Sequence, residues 1–530
     1  MAPASAVRGA TLARVFLLAF VVFGYFMPRW ADWNIDSRFD LSRALIDKHS
    51  VRIDAYHFNT WDKAVYKGHY YSDKAPGTAL LGAAAYGVFA LARSAPLTGS
   101  VIRHLEASSA WNPVIQLGKL DTQSQPAAPG RNLGGCQRTG VAGNAMFIPW
   151  GNRLVPPFQD WALSKYVVTV ATVGLLSALF VAFFFWFLGF FLVSAALRWL
   201  LTGLLAVATV GFPYSTVFYS HELSAAFLFV AFALLLLVQR GSGRPWMAYA
   251  SGFLLGMALL TEYTVAPIIA VIGLYALWVY RRRLSRVGWL AAAAAVPVAA
   301  LLIYNYACFG SPFDTGYSHD FCWSAAQGAG FAGFTAPKLQ PLWDLTFGSY
   351  RGLFYMSPFL LLALPGLVLM VRSGYRFEAA LCFVVAAGFI LLISSYWGWN
   401  GGQVDGPRYL VPVVPFLAFP VAFLFHSLRS GLGWLVVALA SLWSLFATWV
   451  QFLGGELFPS SWLRDPIFDY SLPNLSGNHI PPNAGFFLGL AGWESLLPLV
   501  VLLGIISAWQ GGAGFLRLRR RLLVPRPASR

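Results

Sequence analysis

The chain has 530 residues, 58% of them hydrophobic and only 11% charged, with a mean hydropathy of +0.62. An ordinary soluble protein is roughly a quarter charged, so a soluble globular enzyme is excluded. The formal net charge of +16 would suggest nucleic acid in a soluble protein, but here the basic residues punctuate apolar runs, and no nucleic-acid partner is expected.

The apolar runs have the length a helix needs to cross a bilayer core of ~30 Å, about 17 to 25 residues, and nothing alternates with the period of a barrel strand. The fold class expected is therefore an all-α integral membrane protein, a single polytopic domain over 1–530 with about twelve spans. The first, Val15 to Met27, follows Arg8 and Arg14 and precedes Pro28-Arg29-Trp30. No small-x-small cleavage site follows it, so it reads as a retained signal anchor. The others run from 163 to 187, 199 to 213, 222 to 238, 246 to 260, 264 to 280, 287 to 305, 353 to 371, 379 to 395, 409 to 425, 432 to 453 and 487 to 509.

A further apolar segment, Pro76 to Leu91, decides the topology. If it crosses, Arg240/Arg244, Arg281 to Arg283 with Arg286, Arg372/Arg376 and the tail arginines divide between opposite sides. If it lies at the surface as a re-entrant or juxtamembrane helix, all fall inside with a single acid, Glu378, and the positive-inside rule selects this arrangement. Both termini are then cytoplasmic, with a basic tail over 510–530. Four polar segments share the outer face of a cell membrane: 29–161, 306–352, 396–408 and 454–486. Function is expected there.

Residues 94–161, with T-Q-S-Q-P-A-A-P-G-R-N-L-G-G, read as an irregular insertion in the first outer loop. Cys136, Cys308 and Cys322 fall outside, where a Cys308–Cys322 bridge is permitted, as are two free thiols. There is no internal repeat, no C-x-x-C and no G-x-x-x-x-G-K-[ST], so soluble nucleotide chemistry has no visible site.

The densest run of ionisable residues, from Trp33 to Leu81, follows the first span. Arg38 to Lys48 places Leu41, Ala44, Leu45 and Lys48 on one face, as in an amphipathic helix resting on the outer leaflet. Asp36 or Ser37 then falls at its N-cap. The alternative is that Asp36 is a general base held at the membrane surface to deprotonate an attacking hydroxyl. Y-Y-S-D-K-A-P-G brings Tyr71, Asp73 and Lys74 to a Pro suited to open a helix, and a lysine there is either a snorkelling anchor or a phosphate ligand. F-Y-S-H-E sets His221 and Glu222 at the outer start of a span. S-Y-R-G-L sets Arg351 at another, and Y-W-G-W-N-G-G-Q-V-D-G-P-R-Y-L-V-P sets Asp405, Arg408 and Tyr409 at a third. Ionisable groups at the mouth of a bundle are costly and mark a site or pathway.

Together D-S-R, F-D-L-S-R-A-L-I-D-K, Y-S-D-K-A-P-G and the later outer motifs resemble the GT-C superfamily of polytopic glycosyltransferases. The likeness is nearer to the protein O-mannosyltransferase and lipid A aminoarabinose transferase branch than to the oligosaccharyltransferases. The resemblance implies a GT-C-type bundle that takes a sugar from a polyprenyl-phosphate donor and passes it to an envelope acceptor: glycolipid, polysaccharide or protein. It implies Asp36 as base, with Asp62 and then Asp54 as alternatives, because the related motif is an adjacent acidic pair whereas Asp36 precedes Ser37. Arg38, Lys74, Arg351, Arg408 and Tyr409 would serve the donor phosphate, and Asp73, Tyr71, His221, Glu222 and Asp405 would orient substrate. No cofactor is required. Asp73, His221 and Glu222 offer a divalent-ion set, against which stands a hydrogen-bonded helix cap.

A leaving phosphate calls for fixed cations, and a single-displacement, inverting transfer needs one base and no covalent intermediate. A lipid-linked sugar flippase or transporter is the second class. Such proteins place polar groups at the midplane on broken, repeated helices, whereas these lie at one mouth; Glu262, in L-L-T-E-Y-T, falls at an outer turn. A structural envelope subunit is the third.

Overall fold

The computed structural model describes residues 9–27, 33–108, 111, 158–402, 404–455 and 463–508. The basic tail, Cys136 and most of the 94–161 insertion lie outside these residues. Among the described residues the chain is mostly helical, with one two-stranded hairpin. In order, α1 is Gly9–Tyr25 and α2 is Trp33–Asp47. The hairpin pairs β1 (Lys63–Tyr66) with β2 (His69–Ser72). Helices α3 (Gly77–Ser94), α4 (Pro96–Glu106), α5 (Asp160–Leu188), α6 (Ala195–Val207), α7 (His221–Ser242), α8 (Trp246–Thr261), α9 (Tyr263–Val279), α10 (Leu284–Phe309), α11 (Pro358–Arg372), α12 (Arg376–Ser394), α13 (Arg408–Ser427), α14 (Gly431–Gly454) and α15 (Gly492–Ala508) follow.

Among the described residues, six of these (α5, α7, α10, α12, α13 and α14) are long and apolar enough to cross a membrane. Each of the other expected spans is also helical, but shorter. The 353–371 run is broken because Pro358 disfavours helical backbone at Ser357, which takes φ −134° and ψ 64°. The Pro76–Leu91 stretch becomes α3, which meets α4 at a bend of 103°, the shape of a broken span or a re-entrant loop. Residues 96–106, expected to be irregular, are helical, with Pro96 at the first turn where its missing N–H costs nothing.

Helix α7 is the axis of the bundle. Of its most apolar window 89% is buried, against 17% for α10, which presents its apolar surface outward. Phe229 and Phe232 of α7 pack edge to face and tilted against Phe416 and Phe419 of α13 and Phe187 of α5, with ring centroids about 5 to 6 Å apart. The α8–α10 contact is set by Gly252-x-x-x-Gly256, since a Cβ at Gly252 would lie 1.9 Å from the Leu290 carbonyl oxygen and one at Gly256 2.6 Å from that of Ala294. Small residues at this spacing let two helix backbones touch.

Two expectations are corrected. Helix α2 does not rest on a leaflet: it begins at Trp33 and is buried from Asn34 to Ala44, polar and apolar faces alike, so Asp36 and Ser37 lie inside its first turns and cap nothing. Its polar side chains find partners within the bundle, which removes the penalty for burying them. The Cys308–Cys322 bridge does not form, because Cys308 is a buried free thiol while Cys322 is disulfide-bonded.

Candidate functional site

The hairpin supplies the first half of the site. Lys67 and Gly68 at its turn have φ 49° and 81°, the left-handed pair of a two-residue hairpin turn. V-Y-K-G-H-Y carried that signal, although the sequence reading passed over it. Strand β2 then delivers Asp73 and Lys74 to the start of α3. The Lys74 ammonium donates to Asp73 Oδ2 at 2.7 Å, pairs with Asp62 Oδ2 at 2.9 Å and lies 5.5 Å from the ring centroid of Tyr317. Burial works against its charge, but Asp62 and Asp73 outweigh it and hold the ammonium well above the usual lysine range. Gly316 has no room for a Cβ, which would lie 2.4 Å from Asp73 Cα, and so lets the Tyr317 loop lie against this pair.

Asp320 of the same loop is held by the backbone N–H groups of Cys322 and Trp323 at 2.8 and 2.6 Å. Burial, reinforced by Asp73, pushes its carboxyl up to about 7. Asp73 is likewise raised, by burial first and Asp62 as well, with Lys74 pulling the other way.

The second half forms around α7 and α13. Arg408 donates to the hydroxyls of Tyr219 at 2.9 Å and Tyr409 at 3.1 Å, with its guanidinium 5.4 and 4.9 Å from their ring centroids. His221, the first residue of α7, is caged by Tyr214, Tyr219 and Tyr409, and its Nδ1 lies 3.5 Å from Glu262 Oε2. Glu262 sits at the break between α8 and α9, and Ser220 donates to it at 2.7 Å and Thr264 at 3.0 Å. Arg38 reaches across from α2, donating to Ser220 Oγ at 2.8 Å and standing 3.9 Å from Glu262. Two further nitrogens of Arg38, Nε and Nη1, are buried with no hydrogen-bond partner.

Ser37, next to Arg38, ties the halves together, its hydroxyl lying 2.8 Å from Ser72 Oγ and donating to Asp73 Oδ1 at 3.3 Å. Tyr396 packs on the second half. Its ring centroid is 5.7 Å from that of Tyr409. Of the residues singled out from sequence, Asp62, Asp73, Lys74, Arg38, His221, Arg408 and Tyr409 thus converge. Tyr219, Glu262, Tyr317, Asp320 and Tyr396 join them; Tyr219 and Tyr396 lie inside F-Y-S-H-E and Y-W-G-W-N-G-G, whereas Glu262 was marked only by the lone acid in L-L-T-E-Y-T and no motif announced Tyr317 or Asp320.

The remaining candidates are placed elsewhere. Asp36 is buried against Lys165 of α5 at 3.2 Å, and that ammonium lies 3.7 Å from the ring centroid of Trp161. Asp54 is exposed in the turn before the hairpin, accepting from the Tyr70 N–H at 2.7 Å and meeting His69 Nδ1 at 2.8 Å. Slight burial raises its carboxyl, but these partners outweigh it and hold it below the usual range. Tyr71 packs on Phe309. The Asp405 carbonyl accepts from Tyr214 at 2.8 Å. Arg351 is fully buried, with its hydrogen bonds going to the carbonyls of Val404 and Gly402 and to the Tyr350 hydroxyl.

Glu222 is directed at Gly211, where a Cβ would lie 2.9 Å from its Oε2. Among the described residues no three His, Cys, Asp or Glu side chains gather as metal ligands, so the Asp73–His221–Glu222 set does not assemble. Consecutive residues at a helix start diverge by about 100°, which turns Glu222 away from the His221 face.

An apolar groove of about 960 Å³ runs between α3, α4 and α5, lined by Leu81, Ala85, Val88, Phe89, Val101 and Leu176 among others. Leu81 lies seven residues beyond Lys74 along the same segment, about 10 Å at helical rise. One helix therefore forms the groove wall and, just before its first turn, carries the Lys74 cluster. Compared with models of known protein families, with curated proteins and with solved structures, the chain matches none.

Proposed function

We propose that this membrane protein is a glycosyltransferase that moves a sugar from a polyprenyl-phosphate donor to an envelope acceptor on the outer side of a cell membrane. The observation that carries the reading is the convergence of Lys74, Arg408 and Arg38 with Asp62 beside an apolar groove walled by α3, the helix that starts three residues after Lys74. A lipid-linked sugar needs its chain in an apolar channel and its phosphate among fixed cations, and this arrangement offers both. Cys322, two residues beyond Asp320, is disulfide-bonded, a state favoured in oxidising compartments, which supports a site outside the cytoplasm. The twelve-span count, the cytoplasmic termini and the GT-C resemblance belong to the same proposal.

In this reading an acceptor hydroxyl attacks the anomeric carbon as the bond from that carbon to the phosphate oxygen breaks. The electron pair leaves on the phosphate, where Arg408 and Lys74 stabilise the developing charge, and the hydroxyl proton passes to a carboxylate. Asp62 is the base we favour. It adjoins a site cation and its side chain is 14% exposed, whereas Asp36 is sealed against Lys165 at 3% and Asp54 is engaged at the far end of the hairpin.

The test is to incubate the purified protein in lipid nanodiscs with a panel of polyprenyl-phosphate sugars and measure release of polyprenyl phosphate. Release with at least one donor, abolished by Arg408→Ala, is expected. Movement of labelled lipid between leaflets with no release from any donor would overturn the reading in favour of a flippase.

A further inference from the structure

The segment leading into Arg408, described over 398–402 and 404–407, runs without regular secondary structure. It adopts left-handed backbone at three glycines, Gly401, Gly402 and Gly406, with φ of 71°, 78° and 55°. A glycine-rich loop of this kind has high conformational entropy when free, so something must hold it.

Arg351, 51 residues before Gly402, grips it. Its guanidinium is fully buried, donates through Nη1 to the Val404 carbonyl and through Nη2 to that of Gly402 at 2.7 Å, and lies 4.4 Å from the ring centroid of Tyr350. The planar fork of arginine bridges two carbonyls as the single ammonium of lysine does not. No carboxylate pairs with this cation among the described residues, and burying a charge without one is costly.

Farther along the loop, the Asp405 carbonyl is fixed by Tyr214, and Gly406 fits under Met356, where a Cβ would lie 2.6 Å from the sulfur. Nearer its start, Gly401 lies under the Arg408 side chain, where a Cβ would come within 2.8 Å of Nε. The segment that Arg351 clamps therefore meets Arg408 twice, through the backbone and through the floor beneath its guanidinium.

We infer that Arg351 is a positioning residue for Arg408: by holding the Gly402 and Val404 carbonyls it aims the Arg408 guanidinium, and makes no ligand contact of its own. This rests on the assignment of Arg408 to the donor phosphate.

The experiment is a double-mutant cycle on binding of decaprenyl phosphate, with hydrogen–deuterium exchange across 398–409 on the same proteins. Arg408→Ala and Arg351→Ala are each expected to weaken binding about tenfold, the scale of one charge-assisted hydrogen bond. Arg351→Ala added to Arg408→Ala should weaken it less than twofold further, and Arg351→Lys should fall between wild type and Arg351→Ala. Exchange at 402–409 should rise in Arg351→Ala and not in Arg408→Ala.

Additive losses, or unchanged exchange in Arg351→Ala, overturn the inference. Should Arg351→Ala not fold, Arg351→Lys carries the same cycle. If wild type binds decaprenyl phosphate no better than decaprenol, the donor reading has failed, and the exchange measurement still decides whether Arg351 governs the loop at Arg408.

Discussion

Lys74 and Asp62 meet at 2.9 Å at the open end of the hairpin, just after β2 and just before β1, and Asp73 closes on the same ammonium at 2.7 Å. The lysine is thus both a candidate phosphate ligand and the neutraliser of two carboxylates. Removing it leaves Asp62 and Asp73 facing each other in a buried setting, the strongly destabilising way to break an ion pair. Lys74→Met is expected to lower thermal stability and abolish transfer, whereas Asp62→Asn should keep the fold and reduce transfer by about 10² to 10⁴. Full activity in Asp62→Asn would move the base elsewhere.

The Asp36–Lys165 pair leads to an opposite expectation. Both side chains are sealed in the core, so Asp36→Asn strands a buried ammonium and should cost about 3 to 5 kcal/mol. The paired replacement Asp36→Leu with Lys165→Met should restore much of the loss, because apolar side chains need no partner there. Chemical denaturation of the single and double variants measures this. A stable but inactive Asp36→Asn would instead return Asp36 to the reaction.

Filling the groove should discriminate among donors by tail length. Ala85→Trp places a large ring into the wall formed by α3. The KM for a long polyprenyl donor should rise at least about tenfold, with far less change for a farnesyl-phosphate sugar. Equal effects on both would argue that the chain lies elsewhere.

Asp320 supplies a pH signature. Its carboxyl, raised by burial to about 7, stays protonated in the folded state after the unfolded chain has lost its proton near 4. The folded state therefore binds more protons across that interval, and the stability this group contributes is lost as pH rises from about 4 to about 7. Asp320→Asn should flatten the decline in melting temperature across that window while still accepting the Cys322 and Trp323 N–H groups. An unchanged slope would show that Asp320 does not titrate there.

At the α8–α10 contact there is no space for a side chain. Gly252→Leu must push the helices apart, and a marked loss of folded protein from detergent extracts is expected, while Gly273→Leu, with nothing within 4 Å of its Cβ, should behave as wild type.

The membrane class and the position of nearly every helix were decided by the sequence alone, because an apolar run of bilayer length allows its backbone only one way to satisfy its hydrogen bonds. The polar residues beside helix starts, Lys74, His221 and Arg408, were legible for a related reason: a charge beside an apolar run has few tolerable places to be. Which charges meet was a matter for the tertiary structure. Trp33 to Ala44 carries a helical pattern compatible with a membrane surface, and only its burial between α3, α5 and α7 shows that Asp36 is consumed by Lys165, 129 residues away. Likewise Glu262, Tyr317 and Asp320 enter the site from segments with no local motif, since a contact between distant residues depends on helix packing, and packing is a property of the whole bundle rather than of any one run.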